Sequence, residues 1–137
     1  MEPERRFDNH SQARIKLTLR YSVQRQRLIV TVHDIENLDR DDTRGLYVKL
    51  YLLPERGKDT KRRTMVVKTQ KSPVFEETFE YAMQQGELGQ KRLEVSVCEE
   101  RIIKNEPVGK VVVDLDRISL VLAHTKLFPL SRNHSQN

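Results

Sequence analysis

Leu46-Tyr-Val-Lys-Leu-Tyr-Leu-Leu53, Pro54-Glu-Arg-Gly-Lys-Asp-Thr60, Lys61-Arg-Arg-Thr-Met-Val-Val-Lys68 and, three residues on, Ser72-Pro-Val-Phe-Glu-Glu-Thr-Phe-Glu-Tyr81 make up the stretch that decides the fold. Leu46, Val48, Leu50 and Leu52 alternate with Tyr47, Lys49 and Tyr51, the period of a half-buried strand. Pro54 and Gly57 close that strand in a charged turn. Lys61 to Lys68, rich in β-branched residues, reads as the next strand, and Ser72-Pro73 marks entry to a third over Val74 to Tyr81. Lys49 falls on the face away from Val48 and Leu50, together with Tyr47 and Tyr51. Lys61 and Arg63 share one face of the following strand, and a hairpin brings them close to Lys49. Basic side chains on strands form a positive patch held by a rigid sheet, which suits a flat anionic partner such as a membrane surface.

The same period extends in both directions. Ile15, Leu17, Leu19 and Tyr21 alternate with Lys16, Thr18 and Arg20, and Leu28, Val30 and Val32 follow after the polar turn Ser22 to Gln26. Beyond Tyr81, Leu93, Val95 and Val97 mark a sixth strand, Val108 to Asp114 a seventh and Lys126 to Leu130 an eighth. A short helical turn is expected within Met83 to Lys91. A second short helix is expected over Asp116 to Ala123, with Asp116 as N-cap and the leucines near Leu120 to Leu122 packed on the sheet. Eight strands so spaced predict an all-β, eight-stranded antiparallel β-sandwich with one or two short helices in its loops. Residues 1–13 read as a flexible N-terminal segment, 14–131 as the domain and 132–137 as a flexible tail.

A chain of 137 residues suffices for one domain with a buried core. Its 36% hydrophobic and 33% charged residues are ordinary for a soluble protein. The net charge of +5 favours phosphate-bearing partners. The lone Cys98 excludes an internal disulfide framework and fits a reducing compartment. No apolar run approaches the ~20 residues that span a bilayer, and the charged N-terminus lacks a signal-peptide core. The Asn-His-Ser triplets at Asn9 and Asn133 match the glycosylation sequon, but the signs of a reducing compartment argue against their use.

With the strands placed, the residues resemble a synaptotagmin-type C2 domain, most of all the C-terminal C2 domain of an extended synaptotagmin. The matching segments are Ile15–Ser22, Leu28–His33, Asn37-Leu38, Tyr47–Pro54, Lys61–Thr64, Ser72–Phe79 and Val108-Gly109, in order across nearly the whole domain. The resemblance implies a Greek-key sandwich whose loops at one end can meet a membrane. It also implies phospholipid binding, which many members couple to calcium. The family's phosphoinositide grip uses a Tyr and a Lys on one strand, two basic residues on the next and an asparagine of the third loop. The positions that match are Tyr47, Lys49, Lys61, Arg63 and Asn105; Lys68 and Lys71 could extend the footprint. The aromatic that often completes such a site would fall at Cys98.

Calcium needs six to eight oxygens, with several carboxylates converging from loops. The first loop, Asn37-Leu-Asp-Arg-Asp-Asp-Thr-Arg-Gly-Leu-Tyr47, is short, and Gly45-Leu46 stands where the resemblance would place Asp-Pro. Asp39, Asp41 and Asp42 remain, interleaved with Arg40 and Arg44. In the third loop Glu99 takes the first ligand place, Arg101 the second and Asn105-Glu106 the last. A fixed guanidinium in a ligand position opposes a divalent cation. No metal or other cofactor is therefore expected, and calcium is the one cation that these degenerate loops could still take.

Catalytic constellations are missing from the sequence. His10, His33, His124 and His134 lack metal-ligand spacing, and His33 reads as a simple surface histidine. Cys98, at a strand end, reads as semi-buried filler. No Gly-rich phosphate loop is present, and no basic–aromatic alternation suggests nucleic acid. The expected function is calcium-independent binding of anionic phospholipids, with phosphatidylinositol 4,5-bisphosphate the first candidate, recruiting or tethering a larger protein. The resemblance places it on the cytoplasmic face of a membrane, at plasma membrane or endoplasmic reticulum contact sites, and links it to lipid transfer. The alternative is a calcium- and lipid-insensitive adaptor that docks a protein partner.

Overall fold

The computed structural model describes residues 12–38, 44–68, 72–117 and 122–132. Strand β1 is Arg14–Ser22, β2 Arg27–Glu36, β3 Gly45–Leu53, β4 Arg62–Arg63 and β5 Val67–Lys68. They are followed by β6 Val74–Ala82, β7 Arg92–Glu99, β8 Glu106–Asp114 and β9 His124–Pro129. One antiparallel sheet has the order β6-β2-β1-β9; the other has β4-β3-β7-β8, with β5 also paired to β3. The chain passes from sheet to sheet between β2 and β3, β5 and β6, β6 and β7, and β8 and β9. The inward residues Leu17, Val30, Val48 and Val95 are fully buried between the layers. Because side chains alternate, this inward row fixes which residues face out.

The expected strand Lys61–Lys68 is broken, and Thr64 breaks it. Its N–H donates to the Val48 carbonyl at 2.9 Å, and the Val48 N–H donates to the Thr64 hydroxyl at 2.9 Å. A side-chain oxygen thus replaces a ladder carbonyl. From Lys49 to Leu46, β3 advances three residues while the opposing chain advances four, from Arg63 to Val67. The extra residue is a β-bulge. Strict alternation would put Arg63 and Val67 on one face, but the bulge leaves Arg63 opposite Lys49 and turns Val67 against the core. Lys61 lies just before β4.

The segment Met83 to Lys91 contains a 3-10 turn, Gln85–Gln90. The second expected helix is only the 3-10 turn Leu115–Arg117 within the described residues. There Asp116 is not the cap: its own N–H donates to Asp114 Oδ1 at 3.1 Å. Leu122 is 76% exposed and does not pack on the sheet as expected. Asn9, His10, Asp39, Arg40, Asp41, Asp42, Lys71, Leu120, Asn133 and His134, with the rest of 118–121, lie outside the described residues.

His33 is more tied down than a surface histidine. It lies at a shift of register in both of the pairings that β2 makes, its Nε2 2.6 Å from the Thr18 hydroxyl and its Nδ1 2.8 Å from a Glu76 carboxylate oxygen. Thr18 also shares a hydrogen bond of 2.7 Å with Thr125, so this chain of side chains crosses β9, β1, β2 and β6.

Thr64 is only 2% exposed, and its hydroxyl also donates to the Met65 carbonyl at 3.0 Å, so no water can replace it easily. Thr64→Val should cost about 1–3 kcal/mol by stranding the Val48 N–H. Urea unfolding checks this: the midpoint should fall with the slope unchanged.

Candidate functional site

The outer face of the β4-β3-β7-β8 sheet carries the sequence-derived site. Arg63, Lys49, Ser96 and Lys110 stand opposite one another in a single row across four strands. Tyr47 opposite Cys98, and Tyr51 opposite Glu94, flank this row on either side along β3 and β7. Strand register therefore brings Tyr47, Lys49 and Arg63 together, and Lys61 lies just before β4, two residues ahead of Arg63.

Arg62, between the two outward cations, is used differently. Its guanidinium stacks 4.4 Å from the Tyr81 ring and donates to the carbonyls of Asp59, Lys61 and Glu80. It secures the turn, with its guanidinium directed at Tyr81 rather than at the Lys49–Arg63 row. Burial pushes the Tyr81 phenol well above its ordinary range against the pull of Arg62. Its hydroxyl donates to the Thr60 carbonyl at 2.7 Å.

Tyr47 is only 5% exposed, and Arg63 lies 3.9 Å from its ring centre. The ring is a cation–π base for Arg63 and offers no free face to a ligand. Its hydroxyl accepts a hydrogen bond from Asn105 Nδ2 at 3.0 Å, which brings the β7–β8 loop onto the basic face. Beside it, Cys98 is 2% exposed, deeper than the expected filler. Burial pushes its thiol upward, with Lys49 pulling the other way. The accessible aromatic on this face is Tyr51, half-buried, with Arg56 at 4.8 Å and Lys49 at 5.7 Å from its ring.

Glu94 divides the cations into two groups. This buried carboxylate receives Arg56 Nε at 3.1 Å and Nη2 at 2.9 Å on one oxygen and Lys110 Nζ at 3.3 Å on the other. Arg56 and Lys110 are thus already paired. Among the described residues, no carboxylate lies within salt-bridge distance of Lys49, Lys61 or Arg63. Sequence reasoning missed Glu94, Arg56 and Lys110. The outward period of β7 marks Glu94, but only pairing with β3 and β8 shows that it stands among cations.

The third-loop residues gather around Arg101. Its Nη2 lies 2.6 Å from Glu99 Oε1 and its Nε 3.2 Å from Glu106 Oε1, with Arg44 3.9 Å from the same Glu99 oxygen. Glu99 is 6% exposed. The Arg101 N–H donates to Asn105 Oδ1 at 3.1 Å. Ile102 and Ile103 project from this loop essentially fully exposed. Two adjacent isoleucines between Arg101 and Lys104 were the available sequence signal for them, since nothing local would bury them. At Gly45, a Cβ would collide with Val66, and the Gly45 carbonyl accepts the Glu100 N–H at 2.8 Å. Close packing of chains thus explains the glycine there. Among the described residues no three His, Cys, Asp or Glu side chains cluster to hold a metal ion.

The C2 domain family matches residues 26–130, from the β1–β2 turn to the end of β9. Extended synaptotagmin-3 of Mus musculus is 34% identical over 122 residues, covering 85% of this chain and 14% of the relative. Extended synaptotagmin-2 of Mus musculus is 33% identical over 124 residues, covering 87% and 15%. The chain therefore spans a small part of the length of these curated relatives. The crystal structure of a C2 domain of RIM from Drosophila superposes with a TM-score of 0.81 at 30% identity, covering 88% of this chain and 98% of that one. With the family model covering most of its length, the chain belongs to the C2 domain family.

Proposed function

We propose that this C2 domain binds anionic phospholipid membranes without calcium, through Lys49, Lys61 and Arg63, with phosphoinositides as preferred lipids. The family and its relation to extended synaptotagmins and RIM point to membrane or protein binding. The observation that carries the finer reading is the cross-strand pair Lys49–Arg63 on a rigid sheet, with no carboxylate partner among the described residues. Arg63, oriented by its stack on Tyr47, can fork onto phosphate oxygens, while Lys49 and Lys61 act as point charges. Asn105 holds Tyr47 and edges the same face. Tyr47 and Asn105 thus serve as positioning groups in this reading.

Three cations near an anionic leaflet contribute about 1 kcal/mol each, roughly millimolar binding when taken alone. Ile102 and Ile103 adjoin the patch through Asn105, and burying each in the lipid interface would add up to about 1.5–3 kcal/mol. Support for calcium independence comes from the Arg101 guanidinium, which lies between Glu99 and Glu106 where a hard cation would need free oxygens. A longer protein carrying further membrane-binding modules would gain avidity from such a domain. That fits recruitment or tethering at the cytoplasmic face of plasma membrane or endoplasmic reticulum contact sites. The domain itself performs no catalysis in this reading.

Co-sedimentation with phosphatidylcholine vesicles, with and without phosphatidylinositol 4,5-bisphosphate, in calcium and in chelator, tests the proposal. Binding should require the bisphosphate and ignore calcium. Lys49→Ala with Arg63→Ala should weaken it about tenfold or more, from two lost charges. Binding that requires calcium would sink the calcium-independent reading, and no binding in any condition would favour a protein-docking adaptor. Glu94→Gln should act in the opposite direction. Freeing Arg56 and Lys110 should raise vesicle affinity about threefold to tenfold, and thermal unfolding should show the fold retained.

A further inference from the structure

The carboxylate of Glu99, buried at the end of β7, needs a countercharge. Arg101, two residues on, supplies it at 2.6 Å and reaches across the hairpin to Glu106, the first residue of β8, at 3.2 Å. Its main chain is held as well, by Asn105 Oδ1, and Asn105 passes the contact to Tyr47 on β3. Glu100 N–H is tied to the Gly45 carbonyl. Both shoulders of the loop are therefore fastened to three strands, while Ile102 and Ile103 between them touch almost nothing. A divalent cation drawing carboxylates together would impose the same kind of restraint. Here a covalently attached guanidinium does so, and its fork serves both carboxylates at once.

We propose that Arg101 is a tethered cation that permanently sets the β7–β8 loop, so that the isoleucine tip and the Lys49–Arg63 face meet a lipid surface as one footprint. This deepens, and rests on, the proposed membrane function. Arg101 is a positioning residue. Its guanidinium is spent on Glu99 and Glu106, and its contribution to binding comes through the loop rather than through phosphate contact. The arrangement requires Arg at 101: a lysine keeps the charge but presents one ammonium where two carboxylates are to be bridged.

The test uses the whole 137-residue chain with phosphatidylcholine–phosphatidylserine vesicles carrying phosphatidylinositol 4,5-bisphosphate, in chelator. Arg101→Gln, Arg101→Lys, Lys104→Gln and the Lys49→Ala, Arg63→Ala pair are compared. Amide hydrogen exchange over 100–105 is the readout independent of lipid, and a Trp at position 103, introduced as Ile103→Trp in each background, reports tip insertion by its emission shift. Arg101→Gln should speed exchange in the loop, reduce the emission shift and weaken vesicle binding about fivefold to tenfold, while the dependence on bisphosphate content persists. Arg101→Lys should share the faster exchange despite its retained charge. Lys104→Gln, which removes the same charge without a bridge, should leave exchange unchanged and weaken binding less.

Wild-type exchange rates in Arg101→Gln would overturn the proposal, as would equal binding losses in Arg101→Gln and Lys104→Gln. Full rescue by Arg101→Lys would do the same, by reducing the role to charge. Should the Lys49→Ala, Arg63→Ala pair bind like wild type, the membrane reading fails, whereas the exchange result still judges the bridge.

Discussion

The arrangement of this domain's outer face depends on a single side-chain hydrogen bond in the wrong place for a regular sheet. Thr64 offers its hydroxyl to the Val48 N–H where a backbone carbonyl would ordinarily stand, and the opposing chain gains one residue against β3. The consequence is double. Val67 turns inward to join the core, and Arg63 stays outward, level with Lys49. Without the bulge, the face holding Arg63 would also hold Val67, and core and charge would compete for one row. The arginine of the patch is thus placed by the same hydrogen bond that completes the core.

Charge on this face is sorted by pairing as well as by number. Glu94 occupies Arg56 and Lys110, Arg62 is turned to Tyr81 and three carbonyls, and Arg101 and Arg44 are drawn to Glu99. Among the described residues, Lys49, Lys61 and Arg63 form a compact outward group with no carboxylate in salt-bridge distance. A net charge of +5 therefore says little about the binding strength of any one patch. The local distribution matters because exposed charges beyond about 8–10 Å are screened at physiological salt. The same sorting makes a buried carboxylate acceptable: Glu94 and Glu99 are each enclosed with cations that offset the cost of burying their charge.

The loop around Arg101 couples the two surfaces. Asn105 reaches from the loop to the hydroxyl of Tyr47, whose ring carries Arg63. Tyr47 thereby links an apolar tip to a basic face, though its own ring is buried. The family resemblance points to Tyr47 as part of a lipid grip; in the fold its ring lies beneath the Arg63 guanidinium. Cys98, where a larger aromatic was a reasonable expectation, sits buried against that base.

Much of the fold was legible in the chain alone. Period-two alternation at Ile15–Tyr21, Leu46–Leu53 and Leu93–Val97 located strands within a residue or two, because one buried face imposes that period wherever it occurs. The positions of Tyr47, Lys49 and Arg63 on one face followed from the same rule. What escaped it were features made by contacts between residues distant in sequence: the bulge at Thr64, the cations held by Glu94 and the ties of His33 across four strands. The sequence by itself determined which residues are apolar and at what period, and hence two sheets with a core between them. Only the tertiary structure decided which cations are neutralised and which face a partner, because that depends on strand register, and register is set by hydrogen bonds between segments tens of residues apart.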